Sequence, residues 1–526
     1  EIHKGLSSLV LVEIFLVIMA LIYGSLPQSA MNWDSVYANL YNARWYVELD
    51  SFRPIVESIS SIFPQQAIMY YAFFFTIGGL RTLQIAYILP LLLLFFVIKK
   101  ISQRFSFSPW YQHAARLLLF VPIVLSQSAS GYYDLFIASM IMLSIYSFVY
   151  ADIPSRGLRS VSSALFLGFA VASKFFAAVL VPFFVLSTGI EVYRNTKKQK
   201  LLTSLFFLMM AVLLTLGPLS IWMYRSYSHT GSPVFPFFQS VFRTKELWSS
   251  VSSVEQNPMT QSSMSSTSWL KGGFLSYPIL SYFRTESFVE GTRGYTGLVY
   301  IVLLPIQVIL IVLSLWRLIR RKFDINDAVY LCLFTSLVLV GVVARYYRYL
   351  WPFQFAFGVM TFMQLWRYAR NVRPYAIWVF TAVIVFLYAI HAVDLMESYR
   401  FVPEQPKERL FHPEIILINP TDPLFSTINQ GPNDKPILDA SQYTPSRLYF
   451  TQRTYMCNWY WVAGDREVLN ASKDTESANA FLRQFSFIIT SPDPTYTGNY
   501  CVQLIKQATN LQKVAKDEYH NIYIAK

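Results

Sequence analysis

Long apolar runs alternate with short polar segments along most of the chain. Runs long enough to cross about 30 Å of hydrocarbon lie at 7–24, 82–98, 114–129, 134–150, 159–173, 175–190, 201–224, 297–316, 328–344, 350–366 and 375–394. The pattern predicts an all-α polytopic membrane domain of about eleven transmembrane helices. Ala67–Leu80 is apolar but short, and Pro64 precedes it. It reads as a helix lying on or dipping into the membrane interface rather than a span. After residue 395 the pattern changes. Short β-rich runs, "KPILDA", "SRLYF", "FSFIITS" and "NIYIAK", surround a helix candidate, "DTESANAFLRQF", that opens on an N-cap signal. Residues 1–395 are therefore expected to form the membrane domain, and 396–526 a small C-terminal extracytoplasmic α/β domain.

Charge orients this arrangement. The basic clusters "KKISQRF" with Arg116, "RGLR", "RNTKKQK", "RLIRRK" and "RYARNVR" fall in alternate loops. All lie on one side if the N-terminus starts there, and the positive-inside rule makes that side the cytoplasm. The C-terminal domain then falls outside, as do the long loops 25–81 and 225–296. The second loop contains "SSVSSVEQNPMTQSSMSSTSW", short of large aliphatics, which suggests mobility. No small-residue cleavage site follows Leu9–Tyr23, so a retained span is expected there.

Composition narrows the class. The 526 residues are 54% hydrophobic and 14% charged, against roughly a quarter charged in an ordinary soluble chain; mean hydropathy is +0.38. The net charge of +13 sits in interhelical clusters and not in a nucleic-acid-binding stripe, so no nucleic-acid partner is expected. Of three cysteines, Cys332 lies in an apolar run. Cys457 and Cys501 lie in the polar C-terminal part, and a disulfide and two free thiols are equally open.

Polar residues at span ends are the candidate chemistry. Asp34 follows the first span in "MNWDSVYANLYNARWYVELDSF", and Asp134 opens the fourth in "SQSASGYYDLF". Lys174 sits in the turn "ASKFFA", Arg345 and Arg348 in "ARYYRYLWPFQF", and Arg284 and Arg293 in the second long loop. Carboxylates and cations at one depth suit an anionic, phosphate-bearing ligand beside an acid/base group. Structural readings stand beside this one. Asp34 and Asp134 suit helix starts, Arg345 and Arg348 can reach headgroups, and the Trp and Tyr of the first loop suit an interfacial belt. Lys174 is harder to explain that way, because cations are disfavoured in short outer turns. His229 reads as a loop residue. There is no His/Cys/carboxylate set at metal spacing, no Gly-rich phosphate loop and no nucleophile elbow. No cofactor is expected, and the need for a divalent metal stays open.

Five stretches together resemble the GT-C superfamily of polytopic glycosyltransferases, most closely its protein O-mannosyltransferase and aminoarabinose-transferase branch. "WDSVYANLYNARWYVE" resembles the first-loop Asp-x-x-Tyr segment, placing Asp34 and Tyr37. "FPQQAIMYYAFFFTIGGL" resembles the Pro-led amphipathic helix of that loop. "SGYYDLFIASMIMLS" resembles the second acidic site, placing Asp134. "GSPVFPFFQSVF" resembles a Gly-Asn-Pro-Val-Phe-Pro-Phe segment, with Ser232 where Asn is usual. "RYYRYLWPFQF" resembles the Arg-Tyr-x-x-Pro entry into a late span. Two departures matter. The first site has a single Asp and not an adjacent acidic pair, and the second has no Asp-x-Asp.

The resemblance implies a bacterial inner-membrane enzyme that takes a sugar from a polyprenyl-phosphate carrier on the outer face. The acceptor is a glycan, lipid or protein. Asp34 is then the general base in an inverting single displacement, with Asp134 orienting the acceptor or supporting the site. Lys174, Arg345 and Arg348 hold the lipid phosphate, and Tyr37, Arg284, Arg293 and Tyr349 contact substrates. Two alternatives stay open: a polymerase or ligase of polyprenyl-diphosphate-linked glycans, and a lipid-linked saccharide transporter or flippase. A transporter should carry ionisable groups near the bilayer midplane and an internal repeat, and neither is evident.

Overall fold

The computed structural model describes residues 39–55, 59–105, 112, 115–116, 118–128, 131–196, 201–235, 241–242, 245, 298–344, 347–369, 386, 427–428, 435–439, 454–456, 471–490, 501–516 and 521–526. The chain divides into two compact units. One contains 84–220 and 263–404 with the N-terminal segment; the other contains 25–83, 221–262 and 405–526.

Among the described residues, three helices are long and apolar enough to cross a membrane: Ile85–Arg104, Leu205–Thr230 and Tyr300–Ile319. They belong to α3 (Leu80–Arg104), α8 (Leu201–Thr230) and α9 (Leu298–Ile319). Their outward faces are oily. Ile85, Leu89, Leu92 and Phe96 on α3 are exposed, as are Leu205, Met209, Leu213 and Leu216 on α8 and Val308, Ile309, Val312 and Leu315 on α9. Stripes of this length at helical spacing are intolerable in water and ordinary in lipid.

Shorter helices fill the first unit. They are α4 (Pro122–Ser128), α5 (Asp134–Ile145), α6 (Arg156–Val171), α7 (Val181–Thr196), α10 (Ile325–Ala344) and α11 (Tyr347–Ala369). Several depart from the spans read off the sequence. The 134–150 run is an α-helix closed by a π turn over Tyr146–Tyr150. The 175–190 run opens as a 3-10 turn, Phe175–Leu180. In the 114–129 run a 3-10 turn, Leu118–Phe120, precedes α4, which starts at Pro122 because proline has no N–H to give an upstream carbonyl. The 7–24 and 375–394 runs lie outside the described residues, apart from Phe386.

The core of this unit is α11, which packs on α5, α9 and α10. Trp351, Phe353, Phe355, Phe357, Met360 and Met363 are all buried, as expected for a helix apolar on every face. Hydroxyls tie neighbours together. Ser144 and Ser163 join α5 to α6 at 2.8 Å, and Ser163 also donates to the Ser144 carbonyl at 2.9 Å. At Gly168 of α6 the approach to α8 is so close that a Cβ would stand 2.1 Å from the Leu214 carbonyl oxygen, so only glycine permits this crossing.

In the second unit, α1 (Leu40–Glu48) packs on α2 (Gln66–Gly78). The α2 helix occupies the short apolar run noted above, with Ala67, Ile68, Tyr71 and Ala72 buried and Phe73 and Ile77 exposed. Towards the C-terminus a five-stranded sheet forms from β1 (Ile437–Asp439), β2 (Thr454–Met456), β3 (Phe487–Thr490), β4 (Leu511–Lys516) and β5 (Asn521–Ala525) in the order β2-β1-β3-β5-β4. β1 runs parallel to β2 and β3, while β5 runs antiparallel to β3 and β4. Helices α12 (Thr475–Leu482) and α13 (Cys501–Gln507) accompany it. Asp474 caps α12, accepting from the Ser477 N–H at 2.7 Å. Ala478, Phe481, Leu482, Cys501 and Leu504 pack with Leu438 and Ile488 of the sheet. Cys501 is disulfide-bonded and Cys332 is free.

Candidate functional site

Two elements far apart in sequence place a carboxylate and an ammonium together. Asp134 stands in the first turn of α5 and is 1% exposed; the helix N-terminus favours its negative charge. The α6 helix ends at Val171, and the chain reverses through Ala172, Ser173 and Lys174. The reversal is fixed by the Ala172 N–H on the Gly168 carbonyl at 2.8 Å and the Lys174 N–H on the Ala170 carbonyl at 3.1 Å. Lys174 itself is extended, and the 3-10 turn follows at once. Its Nζ donates to Asp134 Oδ1 at 2.5 Å.

The pair is largely withdrawn from solvent, with side-chain exposures of 13% for Lys174 and 2% for Asp134. Such burial is tolerable only for a matched pair. Aromatic faces complete the setting. The Lys174 ammonium lies 3.8 Å from the ring centroid of Tyr349, in the first turn of α11, and 5.1 Å from that of Tyr133. Phe176 packs against Tyr349 at 4.9 Å. Cation–π contacts of this kind contribute about 0.5–2 kcal/mol each as solvent is removed. The arrangement is a cation held in place by a carboxylate and two ring faces, and an ammonium can serve several acceptors at once.

Of the residues singled out in the sequence, the structure thus brings together Asp134, Lys174 and Tyr349. Arg348 lies next to Tyr349 in the first turn of α11. Asp34, Tyr37, Arg284, Arg293 and Arg345 lie outside the described residues. His229 ends α8. Among the described residues, no group of three or more His, Cys, Asp or Glu side chains is placed to hold a metal ion.

Two further ionic assemblies escaped the sequence reading. In the second unit, Arg225 of α8 is buried and donates to the Ser61 carbonyl at 2.6 Å, the Tyr46 hydroxyl at 2.8 Å and the Phe52 carbonyl. It thereby ties α8 to α1 and the segment after it. Burial pushes the Tyr46 phenol up, and the neighbouring guanidinium only partly offsets this. In the first unit, Asp327 of α10 is fully buried. It accepts from Arg317 Nε at 2.8 Å, the Asp324 N–H at 3.2 Å, Ser314 Oγ at 3.3 Å and Gln364 Nε2 at 3.4 Å. Asp324 pairs with Arg367 and with Arg317. Desolvation pushes the Asp324 carboxyl up, but Arg367, the Asp327 N–H and Arg317 outweigh it and hold the group below its ordinary value. The signal was present in "RLIRRKFDIND", where acids follow a basic cluster at a helix start.

No curated protein matches the chain by sequence. Among solved structures, ArnT from Cupriavidus metallidurans in the apo state aligns over 99% of this chain and 98% of its own, at 15% identity and a TM-score of 0.56. The same protein bound to undecaprenyl phosphate aligns over 97% of each chain, at 15% identity and a TM-score of 0.57. The Archaeoglobus fulgidus oligosaccharyltransferase, solved with zinc and sulfate, aligns over 90% of this chain and 68% of its own, at 12% identity and a TM-score of 0.50. Both are GT-C glycosyltransferases, and the likeness is one of fold alone. The family model for DUF8201, a domain of unknown function, matches residues 59–355, more than half of the sequence, and the chain belongs to that family.

Proposed function

We propose that this chain is an integral-membrane glycosyltransferase of the GT-C type that moves a sugar from a polyprenyl-phosphate carrier to an acceptor on the outer face of the membrane. The observation that carries the reading is the Lys174 ammonium, 2.5 Å from the buried Asp134 and over the face of Tyr349, at the junction of two apolar helices. The ArnT structure with undecaprenyl phosphate supplies the donor class by likeness of fold.

The chemistry follows from what leaves and what attacks. The leaving group is a lipid phosphate whose charge rises as the glycosidic bond breaks. Lys174, with Arg345 and Arg348, takes up that charge. The acceptor must lose a proton as it attacks the anomeric carbon from the opposite side, and Asp34 is the base. Asp134 holds Lys174 and helps orient the acceptor; Tyr37, Tyr349, Arg284 and Arg293 contact the substrates. The chain crosses the bilayer about eleven times, with residues 1–395 as the membrane domain and 396–526 as an extracytoplasmic α/β domain. That orientation is supported by the alternation of basic loops and by the disulfide at Cys501, a bond of oxidising compartments. It is supported too by the grouping of 25–83 and 221–262 with the C-terminal residues in one compact unit.

The test is Asp34→Asn in the purified, reconstituted chain, with undecaprenyl-phosphate-linked sugar as donor. Glycosyl transfer should fall by about 100-fold or more while donor binding stays within twofold. Undiminished transfer removes Asp34 as the base.

A further inference from the structure

A cavity of about 70 Å³ lies inside the first unit, among α5 with its π turn, α6, α7 and α10. That is several times the room one water needs. Its walls are hydrocarbon and ring faces. Phe148 and Phe184 meet there edge to face at 5.7 Å. The hydroxyls of Ser144 and Ser163, which also line it, are bonded to one another at 2.8 Å. Such a lining suits an apolar occupant. The π turn Tyr146–Tyr150 carries Phe148, and π turns gather at functional sites.

The helices that line the cavity also carry the ionic site. From Asp134, α5 leads to Phe148; from Lys174, the 3-10 turn and α7 lead to Ser187. At 1.5 Å per residue each path covers about 20 Å. One end holds a cation suited to a phosphate and the other an apolar space, joined by the same pair of helices. An amphiphile with a single anionic head and a long hydrocarbon chain matches both ends.

We propose that this cavity seats a distal stretch of the isoprenoid chain of the carrier whose phosphate binds at Lys174. The proposal rests on the donor reading above, and it makes the protein a reader of chain length as well as of headgroup. Ser187, a small residue in the lining, is the place to fill the space. Binding of two ligands to the full chain in detergent is measured, undecaprenyl phosphate and its short analogue geranyl phosphate. Ser187→Phe should weaken undecaprenyl phosphate about tenfold, the worth of roughly two buried methylenes, and leave geranyl phosphate within twofold.

A second arm needs no substitution. Cys332 lines the cavity, so its reaction with a lipid-soluble maleimide should be slowed by undecaprenyl phosphate and not by geranyl phosphate or phosphatidylethanolamine. Equal weakening of both ligands by Ser187→Phe overturns the proposal. So does protection of Cys332 by phosphatidylethanolamine alone, which would make the cavity an ordinary acyl-chain site. If the unmodified chain binds neither phosphate, the donor reading fails and the chain-length reader with it.

Discussion

The Asp134–Lys174 pair can be measured with a double-mutant cycle of Lys174→Met, Asp134→Asn and both together. At 2.5 Å and an effective dielectric of about 20, the gross attraction is about 7 kcal/mol. Desolvation of the two ions takes back much of this, because both are largely buried. The two single changes should then be unequal. Lys174→Met leaves a carboxylate that is 1% exposed with its cation gone, and should cost about 3–4 kcal/mol. Asp134→Asn leaves an ammonium with more solvent access and the face of Tyr349 3.8 Å away, and should cost about 1–2 kcal/mol. In the double variant the orphaned charge is gone, so its loss should fall about 2 kcal/mol short of the sum. The assay is equilibrium unfolding in mixed micelles, followed by tryptophan fluorescence. Losses that add to within about 0.5 kcal/mol would refute the reasoning, because a pair at this distance and burial cannot be energetically silent.

The other predictions concern stability. Asp327→Ala removes the acceptor for Arg317, Ser314 and Gln364 and should cost about 2–4 kcal/mol, read as a fall in Tm. Gly168→Ala sets a methyl against the Leu214 carbonyl and should cost about 1–3 kcal/mol, with a loss of folded yield that Gly217→Ala on α8, where an added methyl meets nothing within 4 Å, does not show. The Asp324 carboxyl is held below its ordinary value of 3.8. Its contribution is therefore complete above that value and is lost as pH falls through the depressed one, so Tm plotted against pH should lose part of its acid limb in Asp324→Asn. Arg225→Met removes the donor to the Phe52 carbonyl and leaves the Ser61 carbonyl with the Tyr46 hydroxyl as its remaining donor. It should raise the protease sensitivity of 49–60 while leaving the C-terminal sheet's protection unchanged.

What was legible from residues alone followed the strength of the periodic signal. Runs such as 201–224 and 297–316 announced their helices because lipid demands an unbroken apolar face, and α8 simply continues to Thr230. Lys174 was legible for a different reason: a cation in a short turn between two apolar runs has no cheap explanation. Its partnership with Asp134 was not, since the two are forty positions apart and no local pattern encodes the packing of α5 on α6. The π turn at 146–150 and the 3-10 turn at 175–180 were hidden because they share the apolar composition of the helices they join. Strands β2 and β4 were missed, β2 because the short "TYM" follows the polar "TQR" and carries no run of aliphatics, and β4 because "LQKVAK" carries two lysines and only weak alternation. Arg225 stands one position past the 201–224 run with nothing in the sequence to mark it out, because its partners, two carbonyls and a phenol, lie more than 160 positions away.

Gly168 has a mechanical consequence. Because α6 and α8 touch backbone to backbone there, the crossing works as a hinge pin and not as a greased joint. Neither helix can creep along the other without prising the pair apart. Lys174 lies six positions beyond the pin, just past the end of α6 and within the reversal whose first hydrogen bond is to the Gly168 carbonyl, so its position depends on a contact that contains no charge at all. A bulkier side chain at the pin would lift the ammonium away from its station while leaving every polar group of the site intact.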